Sequence, residues 1–205
     1  MVRIGVLGGT FDPVHYGHLR LAEETMEAFD LQRILFMPSG NPPHKDGAVV
    51  TDAGDRLEML KLATDGHPRF DVSRIELDRQ GPSYTVDTLV RLREEYGTRA
   101  EIYFILGADA VLELHTWKEP ERVLALCRLV AAARPGFDLE RLRSVPVPGL
   151  SDRLSFVPGP RMDLSSTQIR ERVRERRSIR FLTPEAVRVF ILKRGLYSGA
   201  LEREE

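Results

Sequence analysis

The sequence predicts an α/β protein: a doubly wound parallel sheet with a small C-terminal helical appendage. Three observations predict it. Short apolar runs alternate with amphipathic segments along the first three-quarters of the chain. The first apolar run passes straight into a glycine turn that opens a helix. From residue 161 onward the pattern changes to helical periodicity with little strand between.

Residues 2–7, 33–37, 102–106 and 129–133 read as buried strands, being short, apolar and bounded by Gly, Pro or polar residues. Residues 70–75 and 153–157 carry the same pattern more weakly. Helical patterns lie between them at 18–29, 55–64, 84–96 and 120–126. Such alternation implies a parallel sheet covered on both faces, with right-handed crossovers. Residues 165–176 and 183–194 read as two further helices, the second with Thr183 as N-cap, Pro184 at its first position and Gly195 past its last turn. The expectation is one domain, with a core over 1–160 and a helical part over 161–205 packed on it. The connection 38–53 is long for a compact domain. It holds Pro38, Pro42, Pro43, Gly40 and Gly47 without periodicity and reads as a functional lid at the carboxyl edge of the sheet.

The 205 residues are 42% hydrophobic and 30% charged, enough for one sizeable core, and the net charge of −1 argues against a nucleic-acid partner. The lone Cys127 sits in an apolar run, where it makes no internal disulfide and reads as a small core residue in a reducing compartment. Met1-Val2-Arg3 leads directly into the first strand without an export signal, and no apolar stretch reaches membrane-span length. The expectation is a cytoplasmic protein with no membrane partner; homo-oligomerisation stays open.

After the first strand stands Gly8-Gly9-Thr10-Phe11-Asp12-Pro13-Val14-His15-Tyr16-Gly17-His18. Gly8 and Gly9 let the backbone approach a ligand closely. A helix beginning near Gly17 aims its unpaired N–H groups and positive dipole end at the same place. His15 and His18, three apart, share a face on a first helical turn and can both donate to phosphate oxygens. No Gly-Lys-Ser/Thr follows, the third glycine of a dinucleotide fingerprint is missing, and no third ligand stands at metal-site spacing. The stretch resembles the signature of the HxGH nucleotidyltransferase superfamily, relatives of class I aminoacyl-tRNA synthetases. That resemblance implies a Rossmann-like fold and adenylyl or cytidylyl transfer to a phosphate. It also implies that His15 and His18 contact the triphosphate, with Gly8, Gly9, Thr10, Phe11 and Gly17 around ATP.

Leu164-Ser165-Ser166-Thr167-Gln168-Ile169-Arg170 opens the C-terminal part. Locally it is an ordinary N-cap, but three hydroxyls followed by a guanidinium one turn on also form an anion cradle. It is similar to the superfamily's second motif, Ile-Ser-Ser-Thr-x-Ile-Arg, with Leu164 departing from the isoleucine. The resemblance places Ser165, Ser166, Thr167 and Ile169 at the triphosphate and gives Arg170 a catalytic role beside the two histidines.

Four segments bear on the acceptor: 39–45, 83–89, 107–118 and 133–136. Trp117, the only tryptophan, could stack on a flat heterocycle. Asp109, after a strand, could accept from ribose hydroxyls, and His44 and Lys45 could bring charge to phosphates. Thr85 is equally consistent with a cap or a ligand contact. Together these segments resemble the bacterial nicotinate-nucleotide adenylyltransferase family over nearly the whole chain, down to Leu182-Thr183-Pro184-Glu185 and Gly195-Leu196-Tyr197. By that resemblance Thr85, Trp117 and main-chain amides near Ala108 and Trp117 hold nicotinate mononucleotide. Asn41, His44 and Lys45 lie by its phosphate, and Gly107, Asp109 and Arg134 lie by ATP. The implied reaction joins ATP and nicotinate mononucleotide into deamido-NAD and pyrophosphate, by direct in-line attack of the acceptor phosphate on the α-phosphorus. Mg²⁺ is expected on the ATP phosphates rather than in a protein site. The alternatives are nicotinamide mononucleotide or phosphopantetheine as acceptor, and a non-catalytic nucleotide sensor.

Overall fold

The computed structural model describes residues 2–40, 51–133, 137, 138, 140–159 and 162–198. The strands are β1 (Val2–Gly9), β2 (Arg33–Pro38), β3 (Phe70–Val72), β4 (Ala100–Gly107), β5 (Arg128–Ala133) and β6 (Leu154–Pro158). The long helices are α1 (Tyr16–Phe29), α2 (Ala53–Thr64), α3 (Thr85–Tyr96), α5 (Pro120–Leu126), α8 (Ser166–Arg174) and α9 (Glu185–Arg194). Shorter ones are α4 (Ala108–Leu112), α6 (Glu140–Arg143) and α7 (Leu150–Arg153), with a 3-10 turn at Leu114–Thr116. All strand pairs are parallel, in the order β3-β2-β1-β4-β5-β6. The order reverses between β1 and β4, and the crevice outside their carboxyl ends is where such sheets bind ligands.

Alternation along each strand feeds two cores. Ile4 and Val6 face one layer with Leu89, Leu92 and Val123 from α3 and α5. Leu7 faces the other with Met26, Met59, Ile169, Val187 and Ile191 from α1, α2, α8 and α9. On that second side Leu31 and Ile34 come so near that a Cβ on Gly5 would lie 2.9 and 2.4 Å from them. The C-terminal helices thus cover the same sheet face as α1, and Arg194 pairs with Asp55 of α2 at 2.9 Å. Among the described residues no helix is long and apolar enough to cross a membrane.

Three expectations need correction. Gly8 and Gly9 belong to β1, not to a loop, because they pair with Met37 and Pro38 of β2. Helix α1 starts at Tyr16, so His15 is its N-cap rather than a first-turn residue. Thr183 does not cap α9: Pro184 holds the cap position, and the Thr183 hydroxyl instead donates to the Val14 carbonyl at 2.7 Å. Gly195 does end that helix in the left-handed region, at φ 63°. The centre of the long connection, residues 41–50, lies outside the described residues.

Candidate active site

The site begins at the head of α1. His15 is extended at the cap and only 6% exposed, and His18 sits one turn on. Their rings stack with centroids 3.7 Å apart, and His18 meets Phe11 edge-on at 5.0 Å. The His15 N–H donates to His18 Nδ1 at 3.2 Å. A neutral ring that accepts at Nδ1 carries its proton on Nε2, so this bond fixes the His18 tautomer and leaves Nε2–H as its donor. Burial pushes His15 down to about 4. It also pushes His18 well below the usual imidazole value, with the neighbouring His15 adding to the effect. Both rings are therefore neutral at pH 7. Gly17 leaves room for the stack, since a Cβ there would lie 3.0 Å from the His15 ring.

The turn before α1 is held from behind. The carbonyl of Thr10 accepts from Arg56 at 3.0 Å, Asp12 from Arg170 at 2.7 Å, Pro13 from Ser166 at 2.8 Å and Val14 from Thr183 at 2.7 Å. Four carbonyls are thereby occupied, which lessens the repulsion a phosphate beside the turn would meet from carbonyl oxygens. The Asp12 carboxylate is occupied as well, accepting from Tyr197 at 2.6 Å and from the Thr51 amide at 3.2 Å. His15 Nδ1 and Ser39 Oγ are buried without a hydrogen-bond partner among the described residues. Unpaired buried polar atoms are costly and concentrate at functional sites.

The two sequence motifs therefore meet, though not entirely as their residue types suggest. Ser165 caps α8, accepting from the Gln168 amide at 3.1 Å. The Ser166 hydroxyl is spent on docking α8 to the turn. Thr167 is exposed and accepts from Arg170 at 3.2 Å. The Ile169 side chain is wholly buried in the second core and offers a ligand nothing; it is the anchor of α8. The Phe11 ring is likewise core, 2% exposed, with its backbone in the left-handed region at φ 51°.

Beside this turn a cavity of about 730 Å³ opens over the carboxyl ends of β1, β2 and β4. Gly8, Gly9, Thr10 and Phe104 line it from the sheet, and Ser83, Tyr84, Thr85, Trp117 and Lys118 line it from the head of α3 and the segment before α5. A Cβ on Gly8 would meet the Phe104 ring at 3.3 Å, which closes the floor to larger residues. Trp117 is half-buried and packs edge-on to Phe104 at 6.4 Å. Thr85 is the first residue of α3, and its hydroxyl does not cap the helix, because Tyr84 holds that position. Gly107 and Asp109 are exposed at the end of β4, outside the cavity lining, while the Ala108 side chain is buried. Asn41, His44, Lys45 and Arg134 lie outside the described residues.

Several residues were invisible to sequence reasoning. Arg56 is 2% exposed and donates to the carbonyls of Thr10, Ser39 and Thr51, tying β1, β2 and the approach to α2 together. Its one sequence signal is a charge in phase with Leu57, Met59 and Leu60 on the buried face of α2. Glu76 lines the cavity, accepts from Thr88 at 3.0 Å, and is held above the usual carboxylate range by burial. Asp12 and Tyr197, 185 residues apart, carry no local signal.

A parallel sheet of this order, with a histidine-capped turn and an aromatic-walled cavity at its switch point, defines a nucleotide-binding α/β protein of the Rossmann-like class. The family model described as cytidylyltransferase-like matches residues 6–172. A relative from Moorella thermoacetica named "Probable nicotinate-nucleotide adenylyltransferase" is 50% identical over 98% of this chain and 94% of its own. One of the same name from Geobacillus kaustophilus is 45% identical over 100% of this chain and 91% of its own. Among solved structures, Plasmodium falciparum nicotinic acid mononucleotide adenylyltransferase complexed with NaAD aligns over 98% of this chain and 100% of its own, with TM-score 0.77 and 18% identity. The chain belongs to the cytidylyltransferase-like family, and within it to the nicotinate-nucleotide adenylyltransferases.

Proposed function

We propose that the chain transfers AMP from ATP to nicotinate mononucleotide, releasing pyrophosphate and forming deamido-NAD in the cytoplasm. The carrying observation is that the heads of α1 and α8 converge on residues 12–14 beside the cavity walled by Trp117. Two half-sites then share one turn: a triphosphate site at the histidines and a mononucleotide site over β1 and β4. The kinship of the chain supports the choice of acceptor.

In this reading a phosphate oxygen of the acceptor attacks the α-phosphorus of ATP, and the bond to the bridging oxygen of the β-phosphate breaks. Pyrophosphate leaves with that electron pair. The attacking oxygen is already anionic, so no side chain has to remove a proton. The protein positions the two phosphates in line and meets the charge that develops on the oxygens. The Nε2–H of His18, the His15 ring and the Arg170 guanidinium supply donors. The amides of Phe11 and Val14, opposite the bonded carbonyls of Thr10 and Pro13 in their peptide planes, are further donors. Trp117 stacks the pyridine ring and Thr85 borders it.

The donor set also bears on the metal. Among the described residues no group of three or more His, Cys, Asp or Glu side chains gathers to hold an ion, and Asp12 is committed to Tyr197 and Thr51. Mg²⁺ fits as an ion carried by the ATP phosphates with its own waters, and when bound it neutralises phosphate charge.

An acceptor panel tests the reading. With ATP held constant, pyrophosphate release is measured with nicotinate mononucleotide, nicotinamide mononucleotide and phosphopantetheine. The expected kcat/KM for the nicotinate form exceeds the others by at least about tenfold. Comparable values for two acceptors refute the assignment.

A further inference from the structure

The charged side chains among the residues lining the cavity are Glu76, Glu113 and Lys118. Glu76 is engaged with Thr88, which also accepts from Arg79, on the side of the cavity where Ser39 and Gly40 lie. Glu113 is exposed at the end of α4. Lys118 follows Trp117 directly, and its Nζ lies 4.9 Å from the centroid of the Tyr84 ring, next to Thr85. The ammonium thus lies over the Tyr84 ring, beside the aromatic residues of the lining.

Its counter-ion is placed asymmetrically. Both oxygens of Asp87 accept from Lys118, at 3.2 and 3.1 Å. Yet Asp87 does not line the cavity; it lines a separate groove with Arg74, Asp78, Arg79, Arg91 and Glu94. The ammonium therefore lies between Tyr84, which lines the cavity, and Asp87, which does not. As a structural latch the pair contributes little, because the two side chains are 42% and 40% exposed and such pairs stabilise weakly. As a cation on a lining that otherwise carries the carboxylates of Glu76 and Glu113, Lys118 favours an acceptor with a negative charge near it over a neutral one.

We infer that Lys118 is a specificity-determining residue: its ammonium, held by Asp87 and Tyr84, favours a ring bearing a carboxylate over the same ring bearing a neutral amide. This rests on the acceptor proposed above and adds a side-chain source of discrimination to it. Nicotinate and nicotinamide differ by one negative charge at nearly equal size, so shape distinguishes them poorly and a fixed charge distinguishes them well. A half-exposed cation contributes a factor on the order of five.

The test measures kcat/KM for both mononucleotides in the full-length wild type, Lys118→Met, Lys118→Arg and Asp87→Asn. Lys118→Met is expected to lower the acid-to-amide ratio about fivefold, chiefly through KM for the acid, with KM for ATP unchanged. Lys118→Arg keeps the ratio. Asp87→Asn, which removes only the counter-charge, raises it. A latch without electrostatic function would make Lys118→Met and Asp87→Asn move both substrates down together, leaving the ratio where it was, and that result overturns the inference. A wild type that prefers the acid by a margin Lys118→Met leaves untouched defeats the role of Lys118 alone. A wild type that uses neither mononucleotide defeats the acceptor assignment and this inference together.

Discussion

Replacing His18 by alanine separates catalysis from stability at this site. The imidazole touches three things: the His15 amide through Nδ1 at 3.2 Å, the His15 ring at 3.7 Å and the Phe11 ring at 5.0 Å. Losing the hydrogen bond costs about 1 kcal/mol. The head of α1 keeps other ties, since the Tyr16 amide donates to Leu182 at 3.2 Å and Thr183 to Val14 at 2.7 Å. A stability loss of about 1–2 kcal/mol corresponds to a Tm decrease of roughly 2–4 °C per kcal/mol in a chain this size. The catalytic loss is larger. With Nδ1 bound to the backbone, Nε2–H is aimed by construction, and removing one pre-aimed donor lowers kcat by roughly 10²–10³, or about 3–4 kcal/mol. His18→Asn is the control: an amide oxygen can keep the bond to the His15 amide while lacking the reach of Nε2. Steady-state kinetics with differential scanning calorimetry on both variants gives the answer. The expected pattern is a steep fall in kcat in both, with Asn recovering part of the Tm. A kcat within about threefold of wild type in either variant would show that His18 only closes the end of the helix.

Gly17→Ala introduces a Cβ 3.0 Å from the His15 ring, so the ring must shift; kcat should fall at least about tenfold, while circular dichroism stays that of the wild type. Stability should depend on pH through the buried histidines. The unfolded chain protonates His15 near 6.5 and the folded chain only near 4, so this contribution is complete above pH 6.5 and is lost as pH falls toward 4. At pH 5 the loss from His15 is about 2 kcal/mol. Urea titrations at pH 7 and 5 should show it, and His15→Asn, an adequate N-cap, should flatten the difference; equal slopes in both chains would count against a buried neutral His15. Cys127 is 1% exposed and burial pushes its thiol up to about 12, so iodoacetamide at pH 8 should leave the native chain unlabelled and active. Rapid modification under native conditions would contradict that burial.

Much of the architecture was legible because parallel strands are buried on both faces and so appear as short unbroken apolar runs. Pro120–Leu126 was read to the residue, with proline at its first position. The short elements α4, α6, α7 and the 3-10 turn were not legible, since three to five residues carry no helical period. The C-terminal end of β1 escaped for a different reason. Glycines look like loop in isolation, and only pairing with Met37 and Pro38 makes Gly8 and Gly9 strand.

The site divides in the same way. The chemistry of its parts was carried locally: two histidines astride a glycine, three hydroxyls before an arginine, one tryptophan in a polar stretch. The relations between the parts belong to tertiary structure. Thr183 reads as a cap until its hydroxyl is seen on Val14, 169 residues away, and Ser166 reads as a phosphate ligand until it is seen on Pro13, 153 residues away. Arg56 has no reason to be buried until three carbonyls from separate segments surround it. The sequence alone determined which groups could meet a phosphate, because residue type sets charge and donor capacity. Only the fold decided which of them are spent on backbone carbonyls of the turn, because a hydrogen bond depends on where distant backbone oxygens come to rest.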